Sequence, residues 1–298
     1  MKNFIHFSKC PVCGSSELQD VFQVADYTVS REKFMISECN QCKVRITQDA
    51  PDAASIGPYY VSEDYISHTN TSKGFVNRLY QLVRKRTLKQ KRNLIEKNTG
   101  IKKGVLLDVG SGTGFFAAEM KNSGWQVTGL EPDEKARKIA ASSNGIELSD
   151  LTNFYQLPAG SFDAITLWHV LEHVHELQAY ILKLKELLKP AGRLFVAVPN
   201  YTSADARIYG SHWAAYDVPR HLYHFSPISI KTLVERHGMK IVKYCPMWYD
   251  SFYVSMLSSR YKNGKTNLAA SFINGLRSNL SAMKNLKKCS SILYVISR

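Results

Sequence analysis

The sequence predicts a doubly wound, mostly parallel α/β sheet of seven strands, preceded by a small zinc-binding β module. Three observations predict it. Beyond residue 100, short apolar runs alternate with helical segments, the pattern of a parallel sheet with helices on its faces. One of these runs ends in a turn with glycines at 110, 112 and 114. Before residue 50, two Cys-x2-Cys pairs lie among short β-like runs. Residues 1–60 then read as a zinc-ribbon module and 61–100 as a linker with a basic amphipathic helix. The α/β domain fills 101–298, with a helical insertion at about 245–290.

The N-terminal runs Val21–Val24 and Lys43–Ile46 alternate with turns, and 51–70 is a loop rich in Pro, Gly, Ser and Tyr. From Lys73 to Asn98, Phe75, Val76, Leu79, Leu82 and Val83 recur at helical spacing, and Asn98-Thr99-Gly100 stops the helix. A strand follows at Val105–Val109, a helix at Phe115–Asn122, a strand at Val127–Leu130 and a helix at Asp133–Ser142. Strands are expected at Ile146–Leu148, Ala164–Trp168 and Leu194–Pro199, with a helix at Leu177–Leu188. A helix at Ile228–His237 ends at Gly238, and strands at Lys240–Tyr244 and Ser291–Ser297 close the domain.

The 298 residues are 44% hydrophobic, ordinary for a globular chain, and no run approaches the roughly 20 apolar residues that span a bilayer. Met1–Lys9 lacks the apolar core of a secretory signal, so the chain is expected in the cytoplasm, where six cysteines are not disulfide partners. The net charge of +14 is local. Residues 72–98 hold nine Lys or Arg against Glu96 alone, and 251–298 hold eight with no acid. Such strips favour diphosphate-bearing substrates, anionic lipid at the inner face of a membrane and, as a lesser alternative, nucleic acid.

Cys10-Pro-Val-Cys13 and Cys39-Asn-Gln-Cys42 are separated by 25 residues. Each pair can set two thiolates on one side of a tight turn. Together they complete a closed tetrahedral site, which implies a structural zinc. Cys245 and Cys289 read as core cysteines.

Val105-Leu-Leu-Asp-Val-Gly-Ser-Gly-Thr-Gly114 carries Asp108 at the end of a strand, where its carboxylate can face a ligand ammonium. A dinucleotide fingerprint needs its third glycine at 115, where Phe115 stands. Glu131 ends the next strand, placed to accept ribose hydroxyls, and Pro132 fixes the turn. Asp150 and Leu151 are placed to meet an adenine edge and face. This arrangement resembles class I S-adenosylmethionine-dependent methyltransferases. Downstream, Gly160–Val174 resembles their fourth-strand motif, and Leu187-Leu-Lys-Pro-Ala-Gly-Arg-Leu194 their turn into strand five. The resemblance covers about residues 103–200. It implies S-adenosylmethionine as cofactor, held by Asp108, Gly110, Ser111, Gly112, Gly114, Glu131, Pro132, Asp150, Leu151, Trp168 and His169. His169-Val-Leu-Glu-His173 also spells a zinc-protease pattern, but that chemistry needs both histidines on one helix, and His169 is expected at a strand end.

Ligands of such sheets lie beyond the carboxyl ends of the strands. The segment there, 199–226, carries Trp213, Tyr216, Asp217, Arg220, His221, Tyr223 and His224. Asp217–Ser226 is similar to a motif of methyltransferases of glycans, lipids and quinones. The implied reaction is methyl transfer to a small-molecule, glycan or lipid-linked acceptor, in cell-surface or secondary-metabolite biosynthesis. Histidine suits a base near neutral pH, so His221 is the first catalytic candidate, with Asp217 as its orienter and His224 second. About 45 residues lie between Tyr244 and Ser290, aromatic and basic, where the resembling enzymes have a short hairpin. Two other readings stand beside this one: an RNA methyltransferase whose ribbon and basic strips hold phosphates, and a non-catalytic scaffold with a vestigial cofactor site.

Overall fold

The computed structural model describes residues 3–61 and 75–298, with side chains described outside 75–83. The expected apolar face at Phe75, Val76, Leu79, Leu82 and Val83, and the loop residues 62–70, lie outside what is described. The N-terminal strands are β1 (Phe4–Ile5), β2 (Leu18–Ala25), β3 (Lys33–Cys39), β4 (Arg45–Thr47) and β5 (Ala50–Pro51). Helix α1 (Phe75–Thr99) is followed by β6 (Val105–Val109), α2 (Phe115–Asn122), β7 (Gln126–Leu130), α3 (Glu134–Asn144) and β8 (Phe162–Trp168). Then come α4 (Leu177–Leu187), β9 (Leu188–Pro199), α5 (Ala204–Tyr209), β10 (Tyr223–His224), α6 (Pro227–Arg236) and β11 (Lys240–Pro246). Helices α7 (Asp250–Asn263) and α8 (Leu268–Lys284) precede the last strand, β12 (Ser291–Ser297).

The main sheet has six strands in the order β11-β12-β9-β8-β6-β7, with β6 parallel to both β7 and β8. The expectation of seven strands is corrected at Ile146–Leu148. Only Ser149 joins the ladder there. Its N–H donates to the Gly129 carbonyl and its own carbonyl accepts from Glu131 N–H, a single parallel bridge. The physical reason lies on either side. Ile146 is buried against Ala117, Ala118 and Ala140, with Leu148 packed on that cluster, and Asp150 caps a 3-10 turn over Leu151–Gln156 that ends the extended run. Strand β9 begins at Leu188, earlier than the Leu194 expected from the apolar run, and Leu194–Val198 are all buried, as a strand in the middle of a sheet covered on both faces requires.

The chain forms two compact units. One comprises Met1–Ser67, Leu171–Tyr180 and Ala197–Tyr294; the other comprises His68–Val170, Ile181–Val196 and Val295–Arg298. In the first, an antiparallel sheet runs β10-β4-β3-β2. One of its edge strands, Tyr223–His224, comes from the 199–226 segment that carries the acceptor candidates. Val24, Phe34, Ile36 and Tyr59 share one buried core with Tyr209, Trp213, Tyr216 and Val218. The N-terminal strands therefore cover their apolar face with the 201–218 segment, consistent with how little core so short a module can build alone.

Candidate functional site

In the second unit, the carboxyl ends of β6, β7 and β8 gather the residues assigned to the cofactor. Asp108 is buried at the end of β6 and accepts a 2.6 Å hydrogen bond from the Thr166 hydroxyl of β8. Burial pushes its carboxyl up to about 6, against the pull of Thr166, Ser111 and Lys91. Gly110, Gly112 and Gly114 all have positive φ. A Cβ on Gly110 would lie 2.5 Å from Val170 Cγ2, and one on Gly114 would lie 2.7 Å from Ile146 and 2.9 Å from Ala140. Among the described residues a Cβ on Gly112 meets nothing within 4 Å, so this glycine, unlike its neighbours, is called for by its backbone conformation.

Glu131 is buried and accepts from Gly112 N–H at 2.7 Å and Asp133 N–H at 3.0 Å, which ties the glycine turn to the end of β7. Ser111 donates back to the Asp108 carbonyl. Pro132 follows on the surface. Asp150 accepts from Thr152 N–H and pairs with Arg137 at 2.8 Å, with Leu151 opening the 3-10 turn. Trp168 packs edge-on against Phe116, and its buried Nε1 has no hydrogen-bond partner among the described residues. His169 follows β8 with a left-handed φ of 59°.

The basic helix α1 contributes residues that sequence reasoning missed. Lys91 Nζ lies 3.8 Å from the Trp168 ring centroid, and the Arg84 guanidinium lies 3.8 Å from that of Phe115. Arg92 donates to Glu119 and to Ser123. Part of the face that composition marks only as positive is thus spent on cation–π and ionic contacts within this unit. The seven-residue spacing of Arg84 and Lys91 was the available signal, since it repeats one helix face.

The residues assigned to the acceptor from sequence lie in the first unit. His221 is buried, and its Nδ1 donates to the Ala215 carbonyl at 2.9 Å, which leaves the lone pair on Nε2. Asp217 Oδ2 stands 4.0 Å from that Nε2, beyond hydrogen-bond reach. The Ala215 carbonyl orients the ring, while Asp217 faces its other nitrogen. Against burial, Arg220 holds the Asp217 carboxyl below its usual range. Arg220 is itself almost wholly buried, donating to Asp217 at 2.7 and 3.0 Å, to Asp26 at 3.0 Å and to the Tyr59 carbonyl. His224 Nε2 lies 3.0 Å from the Thr47 hydroxyl, and burial pushes its imidazole well below the ordinary histidine value.

His173, not assigned from sequence, stands ring-edge against His221 with centroids 4.5 Å apart. Its Nδ1 donates to the Arg220 carbonyl, and burial with the neighbouring His221 lowers it to about 4. Glu172 and His173 form a separate 3-10 turn at Leu171–His173, so the two histidines of the protease pattern do not share a helix. The four sulfurs of Cys10, Cys13, Cys39 and Cys42 lie within 4.8 Å of one another, and the pairs Cys10–Cys42 and Cys13–Cys39 are 3.5 Å apart. Thiolates about 3.8 Å apart surround a tetrahedral ion with 2.3 Å bonds, so this donor set fits zinc. Gly14, at φ 81°, closes the first knuckle, with its N–H donating to the Cys10 carbonyl.

A methyltransferase-domain family profile matches residues 80–244. The chain is 28% identical over 158 residues to a ubiquinone biosynthesis O-methyltransferase of Xanthomonas axonopodis pv. citri, covering 49% of this chain and 66% of that protein. It is 33% identical over 130 residues to the protein of that name from Xanthomonas oryzae pv. oryzae, covering 40% and 54%. It is 26% identical over 163 residues to the human mitochondrial one, covering 49% and 44%. The chain thus spans about half to two-thirds of the length of these relatives. Among solved structures, the magnesium protoporphyrin IX methyltransferase of Synechocystis PCC 6803, with bound SAH, superposes with a TM-score of 0.52 at 15% identity. That match covers 83% of this chain and all of the other, and it shows a shared fold.

Proposed function

The chain belongs to the methyltransferase-domain family, with the class I S-adenosylmethionine-dependent fold, and from that premise we propose that it transfers a methyl group to a small-molecule acceptor. The observation that carries the cofactor half is the buried Asp108 carboxylate two residues before the positive-φ glycine turn, with Trp168 Nε1 at the end of β8 lacking a partner among the described residues. When bound, S-adenosylmethionine supplies an electrophilic methyl group. The residues we assign to hold it are Asp108, Gly110, Ser111, Gly112, Gly114, Glu131, Pro132, Asp150, Leu151, Trp168 and His169. Asp108 faces a ligand cation, and Lys91 rests on the indole of Trp168.

At the acceptor we assign proton removal to His221. Its Nδ1–H is fixed on Ala215, so the lone pair on Nε2 is the acceptor we assign, with the Asp217 carboxylate 4.0 Å from it. His224 is assigned a supporting place, bonded to Thr47 under the same segment. The acceptor class is a small molecule, in line with the relatives' names; a glycan or lipid-linked carrier of that molecule is the finer form of the proposal. Zinc on the four cysteines is proposed as a structural ion of a module over 1–60. Residues 61–100 are then a linker and basic helix, and 101–298 the catalytic domain with its insertion at about 245–290. We place the protein in the cytoplasm, against the inner face of the membrane. No helix among the described residues is long and apolar enough to cross a bilayer.

The test is a pair of measurements on His221→Ala. Turnover on the true acceptor falls by about two to four orders of magnitude, the range for losing a general base, while S-adenosylmethionine affinity stays within twofold. Unchanged turnover removes His221 from the mechanism.

A further inference from the structure

Helices α7 and α8 are packed inside out. In α8 the buried positions are Ser271, Gly275, Ser278 and Ala282, all small. The large apolar side chains Leu268, Phe272, Ile273, Leu276, Leu280 and Met283 are exposed, Met283 by 71% and Phe272 by 60%. In α7 the buried positions are Ser251, Ser255, Ser258 and Ser259, while Tyr253 and Met256 face outward. A helix on a water-soluble core does the opposite, turning its large apolar stripe inward.

The contacts between the helices fit the same pattern. A Cβ on Gly275 would lie 2.6 Å from the Phe252 ring and 3.1 Å from Phe252 Cα, so the backbones approach closely there. Ser251 bonds to Asn279 at 3.0 Å, Asn279 donates to the Trp248 carbonyl, and Ser271 donates to the Ser255 carbonyl. Small residues and hydroxyls at the seam, with large apolar groups outside, is how helices pack when their outer faces meet lipid. Within the same unit, α8 is anchored by a buried carboxylate: Asp205 accepts from Ser278, Trp213 Nε1 and Ser290. The hairpin therefore has a firm attachment on its inner side and an apolar face left over.

Charge selects what meets that face. The hairpin, residues 250–284, carries Arg260, Lys262, Lys265, Arg277 and Lys284 against Asp250 alone, and Arg277 and Lys284 border the exposed stripe of α8 on the helix wheel. Trp248 and Tyr249 are also exposed at the start of α7, side chains that suit a bilayer's interfacial zone.

We infer that the outer face of α7 and α8 is a docking surface for an anionic lipid bilayer, lying in the interface rather than crossing it. The inference rests on the membrane placement proposed above and gives it a location. It delivers the enzyme to acceptors that partition into lipid.

The test uses the full chain and two vesicle types, phosphatidylcholine alone and phosphatidylcholine with one part in four of phosphatidylglycerol. Flotation is expected with the anionic vesicles only, weakening as salt rises. Arg277→Gln with Lys284→Gln should weaken binding by about 30-fold, from about 1 kcal/mol per basic residue at such a surface. Leu276→Ser with Leu280→Ser should weaken it by about tenfold or more through lost apolar burial. S-adenosylmethionine affinity, measured on the same preparations, must remain unchanged in both variants. This separates failure of docking from failure of the methyltransferase reading. Absence of binding to either vesicle overturns the inference, as does equal binding by wild type and both variants. Self-association through this face, abolished by the serine pair without any vesicle binding, would assign it to a second copy of the chain and overturn it too.

Discussion

Asp108 illustrates how one buried carboxylate would couple the fold to the cofactor we assign to it. Its folded pKa of about 6 lies above the ordinary value of 3.8 because burial disfavours the charge. The sign follows from that direction. The stability it lends the free protein is fully present below about 3.8 and is lost as pH rises through about 6. A cationic ligand reverses the preference by pairing with the ionised form. S-adenosylmethionine affinity should therefore strengthen as pH rises across about 6, and Asp108→Asn should bind more weakly with that pH dependence removed. Calorimetric titration at several pH values checks it. His173 acts in the other direction, since its imidazole is depressed from 6.5 to about 4. The stability it lends is present above about 6.5 and is lost as pH falls toward about 4. Asp108 was legible in the sequence because strand, acid and glycine turn are contiguous. His173 was not, because its partner His221 lies 48 residues away and only folding brings the rings together.

At the level of elements, the Asp26–Arg220–Asp217 cluster shows why roles within the segment assigned to the acceptor were not legible from its residues alone. Asp26 follows β2, and its carboxylate also receives the Thr28 and Ser30 amides. Arg220 reaches it from a loop nearly two hundred residues later. Nothing local in Asp217-Val-Pro-Arg-His announces an ion pair with the N-terminal strands, so Asp217 reads from sequence as a histidine's orienter. In the structure its strongest partner is Arg220, and the Ala215 carbonyl orients His221. Arg220→Met would leave the buried Asp26 and the part-buried Asp217 carboxylates without their cation. It should destabilise the unit by about 3–5 kcal/mol, the cost of breaking a buried pair from one side, read as a lowered urea midpoint. Strand content was legible wherever the apolar run was long. It was not at Ile146–Leu148, where the same residues serve packing under α2 and α3 rather than a ladder.

For the whole molecule, the N-terminal cysteine site, the acceptor segment and the helical hairpin belong to one compact unit. Because the N-terminal strands and the 201–218 segment share a core, loss of the zinc assigned to Cys10, Cys13, Cys39 and Cys42 should be felt beyond the module. Chelation or Cys39→Ser is expected to lower the melting temperature by several degrees and to depress turnover more than S-adenosylmethionine affinity, since the residues we assign to that cofactor lie in the other unit. Equal loss of both would argue against that division. The most direct test of the central claim is incubation of the purified protein with methyl-labelled S-adenosylmethionine and fractionated cell extract, with Asp108→Asn and His221→Ala run in parallel. The account predicts label in a low-mass, extractable acceptor with wild type and a sharp loss with both variants. Label confined to RNA, or no transfer and no S-adenosylmethionine binding by wild type, would contradict it.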